Sequence, residues 1–226
     1  SRVAALFHLL CRHGPSVGYF PEPEKCWVIS PPSSEPHARQ VFNDASLSVN
    51  YCHGRRYVGG FVGSQETRDE WLTPMVQKWV TGIDRLAAVA TRFPHSAYAG
   101  LVSCLSAEWQ YICRTVPDVG PSLAPVEHAL RTKFLPAILG IDGPIDDTYR
   151  TLIGNGVKTG GLAIRDPTLA AAPLYSTSVE ATSMLTGTLL RNEPISVEAH
   201  RNCVRTAGAK HRKTRHDGEV AFHTAL

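Results

Sequence analysis

Leu72, Val76, Trp79, Ile83, Leu86, Ala90 and Phe93 recur at alternating four- and three-residue spacing. A helix of 3.6 residues per turn puts such a series on one face, so the stretch predicts one long amphipathic helix that must bury its apolar stripe. Pro74, in its first turns, is the one expected interruption. A second helix is predicted where Tyr98, Leu101, Leu105, Trp109, Ile112 and Val116 share a face, and a third from Leu123, Val126, Leu130, Phe134 and Ile138. Three such helices predict a bundle, with Trp79 and Trp109 buried between the first two.

Upstream the pattern is mixed. Val3, Ala4, Phe7, Leu10 and Cys11 follow helical spacing over residues 1–13, and Gly14-Pro15 ends that helix. "KCWVIS" reads as a short buried strand between prolines, and "SEPHARQVFNDA" as a short helix opened by a serine cap. "LSVNY" and "RRYVGGFVG" read as two strands with "CHG" turning between them. Downstream, residues 140–161 form a loop-rich joint, Thr168 to Leu190 predict a further helix, and the sparse apolar content after Arg191 predicts a frayed tail. The fold class expected is therefore α+β, predominantly α-helical, divided as 1–64, 65–139, 140–195 and 196–226.

With 226 residues, 43% of them apolar, the chain can pack a core, and a net charge of +3 argues neither for disorder nor for obligate polyanion binding. Six cysteines without a CxxC pair, in a chain too long to need staples, point to reduced thiols and an intracellular setting, nuclear or cytoplasmic. No apolar run approaches the ~18 residues of a membrane helix, and the N-terminus lacks a signal-peptide layout, so neither a membrane partner nor secretion is expected. The opening "SRVAALFHLLCRHG", in mid-helix pattern and without an initiator methionine, is expected of a piece cut from something longer.

Self-contained enzyme motifs are absent: no Ser-His-Asp or Cys-His order stands out, and no Gly-rich phosphate loop follows a strand. Asp146 and Asp147 could ligate a divalent cation, but after Gly-Pro such a pair more often caps a helix. His200, Cys203, His211 and His216 have spacings near a zinc knuckle, though in a Cys-poor setting, so zinc there stays an open question and no metal ligand is assigned.

Charge distribution carries more. Residues 200–216 hold Arg201, Arg205, Lys210, Arg212, Lys213 and Arg215 and no acid, a local +6 that leaves −3 for the rest of the chain. That is the electrostatic footprint of a phosphate-binding segment. Lys78, Arg85 and Arg92 recur every seven residues along the long helix. They make either a solvated face or a stripe that tracks a nucleic-acid backbone. Gly59 and Gly60 permit close approach of such a backbone, or else mark a β-bulge.

In order, "GYFPEPEKCWVI", a short helix, "GRRYVGGFVG", the long amphipathic helix, "PHSAYAGLVSCLSAEWQYICRTVP", "VEHALRTKFLPAILG" and "GGLAIRDP" resemble the C-terminal part of reverse transcriptases from non-LTR (LINE-like) retroelements, over residues 1 to about 195. The resemblance implies that Lys25 falls on the lysine of the motif after the palm's catalytic hairpin, placed near a nucleotide's phosphates as a clamp or proton donor. It implies that Tyr57 to Gly63 correspond to the primer grip, and that the helices form a thumb against the template-primer duplex. The family's aromatic-x-Asp-Asp hairpin and earlier aspartate would lie upstream. The resemblance therefore implies a palm remnant plus thumb that grips primer and duplex and is inactive alone, its partners being the upstream palm and fingers. Mg²⁺ is the cofactor expected of the intact parent, RNA-directed DNA polymerase. The alternative is a non-enzymatic helical module that binds nucleic acid or another partner.

Overall fold

The structure is a computed structural model that describes residues 2–226; Ser1, where the first helix was expected to begin, lies outside them. The chain divides into two compact units, one reaching Trp71 and the other Leu72–Leu226. The first is mixed α/β and the second is helical, as expected, but the helices, the joint and the tail make one unit rather than three.

In the first unit, α1 (Arg2–His13) precedes β1 (Trp27–Ile29), α2 (Glu35–Asp44) and β2 (Asn50–Cys52). β1 and β2 pair in parallel, Val28 opposite Tyr51, and α2 supplies the crossover that parallel strands need. Ala4, Phe42 and Leu47 form the small core, with Phe7, Val28 and Tyr51 packed on it. Of the apolar residues of α1 only Ala4 is buried; Val3, Leu6 and Leu9 are more than half exposed.

"RRYVGGFVG" differs from expectation. It is a hairpin of β3 (Gly54–Tyr57) and β4 (Gly60–Gly63), so the sheet structure is two separate two-stranded pieces. Val58 and Gly59 both have positive φ, 47° and 82°, the requirement of the two-residue turn that matches strand twist. Gly59 is there for the turn, and Gly60 is a buried, paired strand residue rather than a bulge. Valine is poorly suited to that conformation, because its branched Cβ crowds the backbone. Val58→Asn is expected to stabilise the chain by about 1 kcal/mol, read as a higher denaturation midpoint; an unchanged or lower one would contradict the turn.

α3 (Gln65–Ala90) runs through Pro74 without a break and ends before Phe93, which lies exposed in the following turn. Leu72, Trp79 and Ile83 are almost wholly buried. α4 (94–115) and α5 (124–139) each contain a π-helical turn, Leu101–Leu105 and Leu130–Phe134. In α5 the widened turn lets the Leu135 amide reach the Leu130 carbonyl just before Pro136, which has no amide to offer. Trp79 and Trp109 meet edge to face with centroids 6.1 Å apart, both buried.

α6 (Asp147–Gly154) opens on Asp146, whose carboxylate accepts from the Tyr149 amide at 2.8 Å. The acidic pair is thus a cap, with Asp147 ion-paired to Arg131 at 2.6 Å. The Tyr98 hydroxyl donates to the Leu162 carbonyl, tying the joint to α4. α7 (Pro167–Arg191) is capped by Asp166. The expected frayed tail is instead α8 (Val197–Ala225), packed along α7 through Ala207, with the Cys203 thiol donating to the Glu180 carbonyl at 3.1 Å.

Candidate nucleic-acid interface

Lys25 closes the 3-10 turn Pro23–Lys25 directly before β1, and the Asn50 side-chain amide donates to the Glu24 carbonyl, fixing that turn to β2. The lysine itself is exposed and pairs with Glu22 at 2.7 Å. That carboxylate holds the ammonium above the ordinary lysine range, so Lys25 stays a cation. A phosphate approaching it would have to compete with Glu22.

The hairpin presents two faces. On one, Phe61 stacks on Trp71 at 5.1 Å, and Arg56 is its cross-strand neighbour. On the other, the Arg55 guanidinium lies 3.8 Å over the Trp27 ring, which brings the hairpin against β1 two residues past Lys25. Tyr57 and Val58 stand exposed at the tip. An exposed aromatic flanked by arginines, at the end of a ribbon whose base is fixed by two ring contacts, can meet a sugar-phosphate backbone. Arg55 and Arg56 belong to this site although charge counting along the sequence passes over them; the signal was their place next to Tyr57.

The stripe on α3 is broken. Lys78 is held by Glu108 at 2.9 Å, and Arg92 lies past the helix end with its guanidinium over Phe93. Arg85 alone of the three is exposed on the helix without an ion pair among the described residues.

On α8 the basic residues divide. Lys210 pairs with Glu180, Lys213 with Asp217, and Arg215 turns inward to buried Glu219. Arg201, Arg205 and Arg212 face solvent without an ion pair among the described residues, four and seven residues apart on one outward face. His200, Cys203, His211 and His216 cannot share an ion, since a helix rises about 1.5 Å per residue and His200 and His216 are therefore ~24 Å apart. Among the described residues no group of three or more His, Cys, Asp or Glu is placed to hold a metal. Cys113 is buried, its thiol pushed up to about 11 by that burial, and is unreactive.

Compared with known proteins, the chain matches no family model, no curated protein and no solved structure. Among the described residues no helix is long and apolar enough to cross a membrane.

Proposed function

We infer that this chain is part of a retroelement-type reverse transcriptase, the end of its palm and its thumb, and that it grips the template-primer duplex. The observation that carries the reading is the hairpin: Arg56 and Tyr57 stand exposed beside a turn whose glycine leaves the backbone approachable. Arginines there neutralise phosphates without reading bases, and the tyrosine covers a sugar, which gives a sequence-tolerant grip. The outward row Arg201, Arg205 and Arg212 on α8 supplies a second phosphate-tracking surface.

The exposed face of α1, Val3, Leu6 and Leu9, supports the same reading. It is the surface that the parent's upstream palm would cover. The carboxylates that hold the metal ions in that family come from an aromatic-x-Asp-Asp run, which these 226 residues do not contain. Nucleotide incorporation accordingly belongs to the parent, and grip is the part proposed for this chain.

The test is fluorescence anisotropy with a labelled RNA–DNA hybrid. Saturable binding is expected that weakens with salt, the log–log slope flattening by about 0.7 to 0.9 for each phosphate contact removed. No binding, or binding indifferent to salt, would overturn the reading.

A further inference from the structure

A cleft of about 690 Å³ opens in the helical unit between α5, α6, α7 and α8. Its lining combines two chemistries. Leu169, Ala170, Pro173 and Leu174 from α7, with Phe222 from α8, make an apolar wall. Arg131, Arg150, Arg165, His211 and Arg215 line it as well, His211 and Arg215 on the same face of α8 as Phe222.

Most acids in the cleft are already engaged. Glu127 takes Arg150 in a two-pronged pair at 2.6 and 2.7 Å, Asp147 takes Arg131, and Asp166 accepts from the first amides of α7. What remains is Arg165, Arg215 and His211 facing the single carboxylate of Glu219, which also accepts from the Thr159 hydroxyl at 2.8 Å. The Nε–H groups of Arg131, Arg165 and Arg215 are buried and make no hydrogen bond among the described residues; Arg215 Nε has the Glu219 carboxylate at 3.3 Å and Arg131 Nε that of Glu127 at 3.9 Å, whereas Arg165 has no ion pair among the described residues. A buried donor left without a well-placed acceptor is costly, and Arg165 is the clearest demand for one in the cleft. Burial and the neighbouring guanidiniums also push both Arg165 and His211 towards their neutral forms, as expected where cations crowd one another.

We propose that this cleft binds a phosphate monoester carried on an apolar body, the phosphate among Arg165, Arg215 and His211 and the body against α7 and Phe222. A phosphate offers several acceptor oxygens and up to two charges, which suits guanidiniums approaching from separate elements better than a planar carboxylate does. The volume is that of a small-molecule site. Arg215 therefore serves the cleft and not the outer surface of α8. This proposal is independent of the duplex grip.

The test is calorimetric titration of the full chain with phenyl phosphate, and with phenol and inorganic phosphate as its two halves. Phenyl phosphate should bind saturably, and Arg165→Gln should weaken it roughly tenfold or more, the loss of a charge-assisted hydrogen bond. Hybrid-duplex affinity should be untouched by that variant, which separates failure here from failure of the grip. Thr214→Glu, an exposed residue at the rim, adds a repelling carboxylate and should weaken phenyl phosphate even if Arg165→Gln does not fold. Displacement of phenyl phosphate by a 5′-phosphorylated oligonucleotide but not its 5′-hydroxyl form would place the monoester at a nucleic-acid end; displacement by neither would make it a small molecule. Displacement by both alike, no saturable binding, phenol binding as well as phenyl phosphate, or wild-type affinity in both variants would overturn the proposal.

Discussion

Trp79→Ala is expected to destabilise the helical unit by about 3–5 kcal/mol, a large share of the ~5–15 kcal/mol that holds a domain together. The ring is 2% exposed, packs edge to face on Trp109, and its Nε1–H donates to the Glu108 carboxylate at 2.8 Å. The substitution therefore empties a large volume and strips a donor from Glu108. Urea denaturation followed by circular dichroism reads the loss, and wild-type-like unfolding would mean that the apolar stripe of α3 does not face α4. Trp79→Phe separates the two effects. Lys78 foremost, then the Trp79 N–H, hold the Glu108 carboxyl below its ordinary 4.5. Because the folded pKa is the lower one, this stabilisation is complete above the ordinary glutamate range and is lost as pH falls through the folded value. Removing the indole donor should shrink that acid-side loss, and Trp79→Phe should show a shallower fall in stability below about pH 4.5.

Arg150→Met should cost about 3–5 kcal/mol, because the nearly buried Glu127 carboxylate would lose its two-pronged partner and keep only Arg131, at 3.9 Å. Arg150 is 4% exposed and donates to both Glu127 oxygens and to the Ile164 carbonyl at 2.7 Å, tying α6 to α5 and to the segment before α7. Adding Glu127→Leu should recover most of the loss, since the charge left stranded is then removed as well. A thermal melt of the single variant within a degree or two of wild type would show that Glu127 finds water instead.

The two tryptophans were readable in advance because a four-three spacing allows one burial pattern only. Asp146 was readable as a cap because an acidic pair after Gly-Pro usually serves as one, but the helix it opens, Asp147–Gly154, lies in the stretch read as a loop-rich joint. Arg150 was not. It lies three residues before buried Ile153, on the inward face of α6, and its partner Glu127 is 23 residues away. The fate of Lys78 was hidden in the same way by Glu108, 30 residues on. α8 escaped because its inward face is built from Cys203, Ala207, His211, Arg215, Glu219 and Phe222, which carry almost no apolar periodicity. It is held by close approach and polar contacts to α7, not by a greasy stripe. The hairpin escaped because valine occupies a turn position that asparagine or glycine usually announces. The charged cleft draws on residues from four stretches of chain, none of which forms a motif alone.

The grip itself is tested most directly by the hairpin. A hybrid duplex has a wide, shallow minor groove along which a short ribbon tip and an outward helix face can lie, whereas single-stranded DNA offers only flexible phosphates and bases. Anisotropy titrations should compare wild type with the double variant Arg56→Gln/Tyr57→Ala on an RNA–DNA hybrid and on single-stranded DNA of equal length. The account predicts that the variant loses more affinity for the hybrid than for the single strand, with its melting temperature unchanged. Equal losses on both ligands, or no loss on the hybrid, would contradict it.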